Sequence, residues 1–345
     1  MEFIIGSKNE FLEFLKSINK DDNVAILTHT DLDGIASGVF LEKILESRKI
    51  PVKLIRFIEY ENDVLKRLSD LFKENNISKL FISDVSIDDL ALDDFENLKK
   101  QMDIFLIDHH PINPLLKNKK NIIKTKSEDC AAFTIYNLGK DFLNQDWKEL
   151  VCATMIAEFS YNDEDNLKFI QNIYPKVNKN NILESEPGKI YAIISSALIY
   201  YPDNLKKVYD LVLKNEIKDL EKCYNQVQLE IKKELANFWE KAEYFPNKKL
   251  YFYYFNNKLH IKSIVATNVS IQKPHEAFVI IAEDDKEPDM LLVSARSQDH
   301  SQNMGLLLKE AIHDLKNANA GGHIPAAGAR FEKKDLDKFK ENLLK

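Results

Sequence analysis

With 345 residues, 44% of them hydrophobic and 30% charged, the chain is long enough for two domains that each bury a core. A formal net charge of -7 excludes a wholesale basic surface that coats nucleic acid, but leaves room for a local basic groove. Three widely spaced cysteines, Cys130, Cys152 and Cys223, form no Cys-x-x-Cys pair, which excludes a disulfide framework and points to a reducing cytoplasm.

In chain order, MEFIIGSKNE lacks a basic stretch followed by an apolar one, so no signal peptide is expected. Four β-rich runs follow, at 24–30, 52–58, 79–85 and 104–108. The segments between them carry helical periodicity, such as Ile35-Val39-Leu41-Ile44-Leu45 and Val64-Leu65-Leu68-Leu71-Phe72. Strand, helix, strand at this repeat predicts an α/β fold, a mostly parallel sheet with helices on both faces. The five lysines at 117–126 suit either phosphate contact or a solvated loop, and the loop is the expectation. Helices are expected to continue through 129–159. The longest apolar run, YAIISSALIYY at 191–201, is too short to span a bilayer and reads as a buried helix. From 205 to 238 apolar residues recur every three or four positions without Gly or Pro, predicting one long helix. LYFYYF, AFVIIAE and MLLVSARS then read as strands of a second, smaller α/β domain, and Met304, Leu307, Leu308, Ala311, Ile312 and Leu315 share a helix face. The expected division is a domain at 1–185, a helical connector at 186–249 and a smaller domain at 250–345.

Acidic groups and histidines fall where the strands end. The first β-run closes on His29, Asp31 and Asp33, the third on Asp84, and the fourth on Asp108 followed by His109 and His110. Ligands in an open parallel sheet gather at the carboxyl ends of strands, so three strands deliver carboxylates and imidazoles to one edge. Carboxylates at i and i+2 repel unless a cation sits between them. Mixed N and O donors suit Mn, Fe, Co or Zn better than Ca. Taken singly, Asp84 reads equally well as a helix cap, and His-His before Pro as an exposed loop pair.

HTDLDG, the strand-end Asp84 and DHHP together resemble the DHH phosphoesterases, named for the Asp-His-His found here at 108–110. GGHIPAAG at 321–328 resembles the signature of the DHHA1 domain, and SARS at 294–297 the Ser-x-Arg-Ser strand preceding it. The order matches from residue 24 to residue 330. The resemblance implies two manganese-type ions, with Mg2+ or Co2+ as alternatives, held by Asp31, Asp33, Asp84 and His109, with Asp84 as the bridge. It implies that Asp108 orients His109 through its other ring nitrogen and that His110 faces the substrate phosphate. Family members often carry the motif-one histidine four residues before the first aspartate, where this chain has Leu27. The RecJ-like branch more often shows His-x-Asp-x-Asp-Gly, so His29 either ligates or supports a ligand. A fourth-motif aspartate is replaced here by Glu158 in TMIAEFSY, with Asp163 and Asp165 as possible substitutes. In the DHHA1 part, Gly321 and Gly322 are expected to form an anion-binding nest, and Arg296 and His323 to bind phosphate or carboxylate.

The activity this implies is metal-dependent hydrolysis of phosphodiester bonds in single-stranded nucleic acid or short oligonucleotides, of the RecJ-like exonuclease or nanoRNase type. Two alternatives stay open. One is a phosphodiesterase or phosphatase for small nucleotides, such as a cyclic dinucleotide or 3′,5′-bisphosphorylated adenosine. The other is a non-catalytic scaffold that partners a helicase or replication complex. A protein partner or a homodimer stays open under either reading. No membrane association is expected.

Overall fold

The computed structural model describes residues 2–59, 63–87, 91–117, 119–256 and 258–345, and the chain divides into two compact units, 1–224 and 225–345.

The first unit is built on strands β1 (Phe3–Ile5), β2 (Val24–His29), β3 (Val52–Ile58), β4 (Lys79–Ser83), β5 (Asp103–Asp108) and β6 (Ile122–Thr125), in the order β1-β6-β5-β4-β2-β3. All pairs are parallel except β1 with β6. Successive side chains of a strand point to opposite faces, and each face carries its own core. Ile26, Phe81, Phe105 and Ile107 pack with residues of helices Lys8–Ser17, Leu32–Ser47 and Ala131–Gly139. Leu27, Leu80, Ile82 and Leu106 pack with helices Val64–Glu74 and Leu92–Leu98. From β2 the chain runs outward to β3, then returns to place β4 on the other side of β2. The helices after β2 and β3 therefore lie on opposite faces, and their divergence opens a crevice at the carboxyl ends of β2 and β4.

The periodicity at 205–238 predicts one helix, but the structure holds two, Leu205–Leu213 and Glu221–Lys241. Asn215 adopts a left-handed conformation, φ 60°, and its N–H donates to the Val212 carbonyl while that of Glu216 donates to Leu211. This is a Schellman closure with asparagine at the left-handed position, a stop signal weaker in sequence than glycine. The expected connector at 186–249 is divided accordingly. Ile194, Ala197, Val208, Tyr209 and Val212 are buried in the core of the first unit, so helices Glu186–Tyr200 and Leu205–Leu213 belong to it. Strands β1 and β6 have no counterpart among the expected elements, because one is three residues long and the other lies inside the lysine-rich segment.

The second unit is a sheet of order β11-β12-β10-β9-β8-β7, comprising β7 (Glu243–Phe245), β8 (Leu250–Phe255), β9 (Ala277–Glu283), β10 (Met290–Ser297), β11 (Asn319–Gly322) and β12 (Ala326–Glu332). Among the described residues, only β8 and β9 of this sheet pair in parallel. One face packs Phe252, Val279, Leu291 and Val293 with residues of helices Met304–Ile312 and Leu336–Leu344. On the other, the Phe238 ring packs against those of Tyr251, Tyr253 and Phe278. Strands 250–255, 277–283 and 290–297 coincide with the expected runs.

Candidate metal centre

Strand β2 ends on His29, and the chain turns immediately into helix Leu32–Ser47, capped by the Asp31 carboxylate on the Gly34 N–H at 3.0 Å. The turn is so tight that a Cβ on Gly34 would lie 2.2 Å from the His29 carbonyl oxygen, so only glycine fits. Thr28 donates to the Gly34 carbonyl at 2.8 Å, and Ser83 donates to Thr28 at 2.9 Å, locking the ends of β2 and β4 together. Asp84, the residue after β4, holds φ 57°, a left-handed conformation that aspartate tolerates better than most residues. Its N–H donates to the Ile107 carbonyl of β5 at 3.0 Å.

These turns place the side chains in two groups that share Asp84. In each of His29-Asp31-Asp84 and Asp84-His109-His110, one ligand atom per residue lies within 4.8 Å of the others. His29 Nδ1 is 2.8 Å from an Asp31 oxygen and 3.9 Å from Asp84 Oδ2. His109 Nε2 lies 3.4 Å from Asp84 Oδ1 and 3.6 Å from Asp33 Oδ2, while its Nδ1 faces the Ser127 carbonyl at 3.4 Å. Asp33 is fully buried at the amino end of helix Ala131–Gly139, accepting from the N–H groups of Ala131 and Ala132, both at 2.7 Å. That helix end holds a carboxylate well, since its first amides lack intrahelical partners.

The electrostatics call for a cation. Burial, then the carboxylates of Asp33, Asp31, Glu158 and Asp108, push the Asp84 carboxyl well above its usual range. Burial, then Asp33 and Asp31, push Glu158, at the end of helix Lys148–Ala157, up to about 9. Asp33 is raised, chiefly by burial. His29 is raised despite burial, by the hydrogen bond and charge of Asp31 and by Glu59 and Asp33. Asp84 Oδ2 and His109 Nε2 are buried without a hydrogen-bond partner among the described residues. Orphaned buried atoms of this kind cost free energy unless something binds them, and an N/O donor set crowded with carboxylates fits a divalent transition metal. The residues present fit the ions that the sequence implies.

Several sequence expectations need correction. Asp108 does not orient His109; its Oδ1 accepts from His110 Nδ1 at 2.7 Å. β5 ends at Asp108 and the chain bends beyond it, so the His109 and His110 rings lie side by side with centroids 4.7 Å apart, and it is His110 that reaches back to Asp108. The other Asp108 oxygen accepts from Lys124 at 2.6 Å, and both side chains are fully buried. Lys124 is thus part of the site's support rather than of a solvated loop, and Lys126 pairs with Asp163 at 2.6 Å. Although burial raises it, the His110 bond and the Lys124 charge hold the Asp108 carboxyl well below the usual carboxylate range. Asp163 and Asp165 do not stand in for Glu158. Asp163 caps helix Glu164–Ile173 and takes Lys126, and Asp165 pairs with Lys168 at 3.0 Å.

In the second unit, Gly321 and Gly322 are not a nest. They lie in β11, paired with Gly328 and Ala327 of β12, as an extended ribbon. Gly322 is nevertheless required, because φ is 138° and a Cβ would meet the Ala326 carbonyl oxygen at 2.5 Å. His323, just beyond, is exposed, with its N–H donating to that same carbonyl at 2.8 Å. Arg296 on β10 is half-buried, donating from Nε to Thr267 at 3.3 Å and from Nη1 to the Ala295 carbonyl at 2.9 Å. Lys262, which sequence reasoning missed, donates to the Val293 carbonyl at 3.2 Å; burial and the neighbouring Arg296 charge lower its ammonium to about 8.

The DHH family N-terminal domain matches residues 23–175, and the DHHA1 domain matches residues 247–345. The chain is a DHH/DHHA1 protein. Members of the DHH family are generally phosphoesterases. An uncharacterized protein of Methanocaldococcus jannaschii is 26% identical over 419 residues, covering 94% of this DHH/DHHA1 chain and 93% of its own length. RecJ of Thermus thermophilus, solved with Mn2+, has a TM-score of 0.70 at 14% identity, covering 98% of this chain. The chain spans about half the length of that RecJ, 54%. A second structure of the same RecJ, with Mg2+, gives a TM-score of 0.65 at 14% identity, over 98% of this chain and 51% of RecJ. CDC45 from Entamoeba histolytica has a TM-score of 0.58 at 13% identity, with 98% of both chains covered. At these identities the solved structures share the fold. No helix among the described residues is long and apolar enough to cross a membrane.

Proposed function

We propose that this protein is a metal-dependent phosphodiesterase that hydrolyses single-stranded nucleic acid or short oligonucleotides. One observation carries the reading: two donor groups share Asp84 at the switch point of the sheet, with Asp84 Oδ2 and His109 Nε2 buried and unpartnered among the described residues. Divalent ions held there, Mn2+ first and Mg2+ or Co2+ next, supply Lewis-acid charge for the phosphoryl group and its attacking water.

The chain's own residues do the rest. Asp84 serves both groups at once, while Asp31, Asp33, His109 and Glu158 complete the ligand set, with His29 beside them. Asp33 is held rigid by two backbone N–H groups, so its carboxylate keeps its place without bound ions. His110, steadied by Asp108, contacts the substrate phosphate. In the second unit Arg296 and His323 bind a phosphate or carboxylate, with Gly321 and Gly322 giving the backbone room. The net charge of -7 favours short substrates over long polymers. The three cysteines, all free and buried, fit the cytoplasm.

A second reading has its own motive. Glu158 replaces an aspartate of the resemblance, and CDC45 matches the chain over 98% of both lengths; a non-catalytic partner of a replication complex would keep the fold and lose turnover. Incubation with Mn2+ and a panel from a dinucleotide to a long single strand separates the two. Shortened products that vanish in Asp84→Ala protein support the phosphodiesterase; inert wild-type protein supports the scaffold.

A further inference from the structure

One row of residues crosses four strands of the second sheet. Arg296 of β10 pairs with Phe278 of β9, Phe278 with Tyr251 of β8, and Tyr251 with Tyr244 of β7. Residues directly opposite one another share a face of the sheet, so an arginine and three aromatic rings line up across it. The rings touch in turn. Tyr251 stacks on Phe278 with centroids 5.2 Å apart, and Tyr244 lies 4.5 Å from Tyr251. Trp239, from helix Glu221–Lys241, meets Tyr251 edge-on at 5.7 Å. Lys273, just past helix Lys262–Gln272, holds its Nζ 5.0 Å from the centre of the Trp239 ring and 4.9 Å from that of Tyr251.

These aromatics differ in burial. Phe238 and Phe278 are fully buried, whereas Trp239 is 39% exposed and Tyr244 is 40% exposed. Core packing accounts for the first two and not for the last two. Tyr244 stands on the edge strand with Tyr251 against one side of its ring, and its hydroxyl donates to Glu276 at 3.0 Å. We propose that Trp239, Tyr244 and Lys273 form a base-binding site for single-stranded nucleic acid, in which an unpaired base stacks on the exposed rings and Lys273 meets the adjoining phosphate.

The chemistry favours this ligand. Exposed aromatic faces beside a cation suit a base and its phosphate whatever the sequence, because every base has a π-face. Lys249 and Lys273 are exposed in the connections at this end of the sheet, while the nearby carboxylates are engaged, Glu276 by Tyr244 and Asp299 by His275 at 3.1 Å. The Ser297 N–H donates to the Pro325 carbonyl at 2.9 Å, which brings the segment after His323 to the same end. Arg296, His323, Lys273 and Tyr244 therefore gather at one end of one sheet. Arg296 and Tyr244 are three strand spacings apart, about 14 Å, so a dinucleotide held at Arg296 falls short of the rings and a longer strand reaches them. The proposal rests on the phosphodiesterase reading for its substrate class, and narrows it to oligonucleotides longer than a dinucleotide.

Trp239 is its own reporter, since the other tryptophan, Trp147, is buried. Metal-free full-length protein is titrated with a thymidine octamer and, separately, with a thymidine dinucleotide, following tryptophan fluorescence. The octamer is expected to quench Trp239 and the dinucleotide is not. Tyr244→Leu should weaken octamer binding about tenfold, the loss of one base stack, while Tyr244→Phe, which keeps the ring, binds as the wild type does. Lys273→Gln should weaken it and lower the salt dependence by about one ion. With Mn2+, Tyr244→Leu should raise KM about tenfold for the octamer and leave kcat and the dinucleotide KM unchanged. An octamer that quenches nothing, or Tyr244→Leu protein that binds it as the wild type does, overturns the proposal. So does a wild type that is dimeric and a Tyr244→Leu protein that is monomeric with no octamer bound by either, which makes the patch a contact between copies. If Tyr244→Leu does not fold, the salt dependence of Lys273→Gln decides. Quenching without hydrolysis defeats the phosphodiesterase reading and leaves the base site standing; hydrolysis without quenching does the reverse.

Discussion

The two units handle their polar residues in opposite ways. In the first, Asp33, Asp84 and Asp108 are buried at the carboxyl ends of strands, and only Asp108 has a lysine against it. In the second, the glycine ribbon and His323 stand exposed, and Arg296 keeps part of its guanidinium in water. A site that buries carboxylates against one another is built to be completed by cations, and it is strained until they arrive. A site that leaves its donors at the surface is built to meet a ligand and loses little when the ligand leaves. Substitutions of the buried carboxylates in the first unit should therefore change metal binding, turnover and pH response together, and those of Arg296 and His323 in the second should change substrate affinity alone.

The largest expected effect comes from Asp84. Asp84→Ala should lower hydrolysis by at least about a thousandfold and abolish the rise in melting temperature that Mn2+ gives the wild type. That rise corresponds to about 2.7 kcal/mol when the ion is at 100 times its dissociation constant. Melting curves with and without Mn2+ check both.

Next comes pH. The folded-state pKa of Asp84 is raised, and that of Glu158 is raised from 4.5 to about 9. A raised carboxyl contributes stability that is full below its unfolded pKa and is lost as pH rises through its folded one. The metal-free protein should accordingly lose stability from about pH 4.5 toward pH 9, and Glu158→Gln should flatten that slope. Added Mn2+ should flatten it too. Thermal melts across this range, with Asp165→Asn as a control that changes nothing, test whether Glu158 belongs to the centre.

Smaller effects separate the second unit. Arg296→Ala and His323→Ala should each raise KM about tenfold, the loss of one charge-assisted contact, with Mn2+ affinity and kcat unchanged. Gly322→Ala, which forces a Cβ within 2.5 Å of the Ala326 carbonyl oxygen, should cost about 1–3 kcal/mol of stability. If Arg296→Ala instead weakens Mn2+ binding, the contrast between the units breaks.

The sequence carried the centre further than it carried its supports. His29, Asp31, Asp33, Asp84, Asp108, His109 and His110 could be read because each follows an apolar run of strand length, and a parallel sheet brings such ends to one edge. The role of Lys124 could not be read. One of the five lysines at 117–126, Lys124 looks solvated until β6 pairs with β5 and sets it opposite Asp108. The choice of His110 over His109 as the partner of Asp108 was not legible, since β5 ends at Asp108 and the bend that follows brings both rings to one side. Gly321 and Gly322 misled because a glycine pair serves a nest and a close-packed hairpin alike, and only pairing with β12 distinguishes them. The helix break at Asn215 was hidden because asparagine leaves apolar periodicity intact.

The central claim is that Asp84 is shared by two ion-binding groups. Native mass spectrometry of the metal-free protein titrated with Mn2+, beside Asp84→Asn protein, tests it most directly. Two ions per wild-type chain, with both lost or sharply weakened in the variant, is the expected result. A wild-type chain that binds no ion, or a variant that binds as the wild type does, would contradict it.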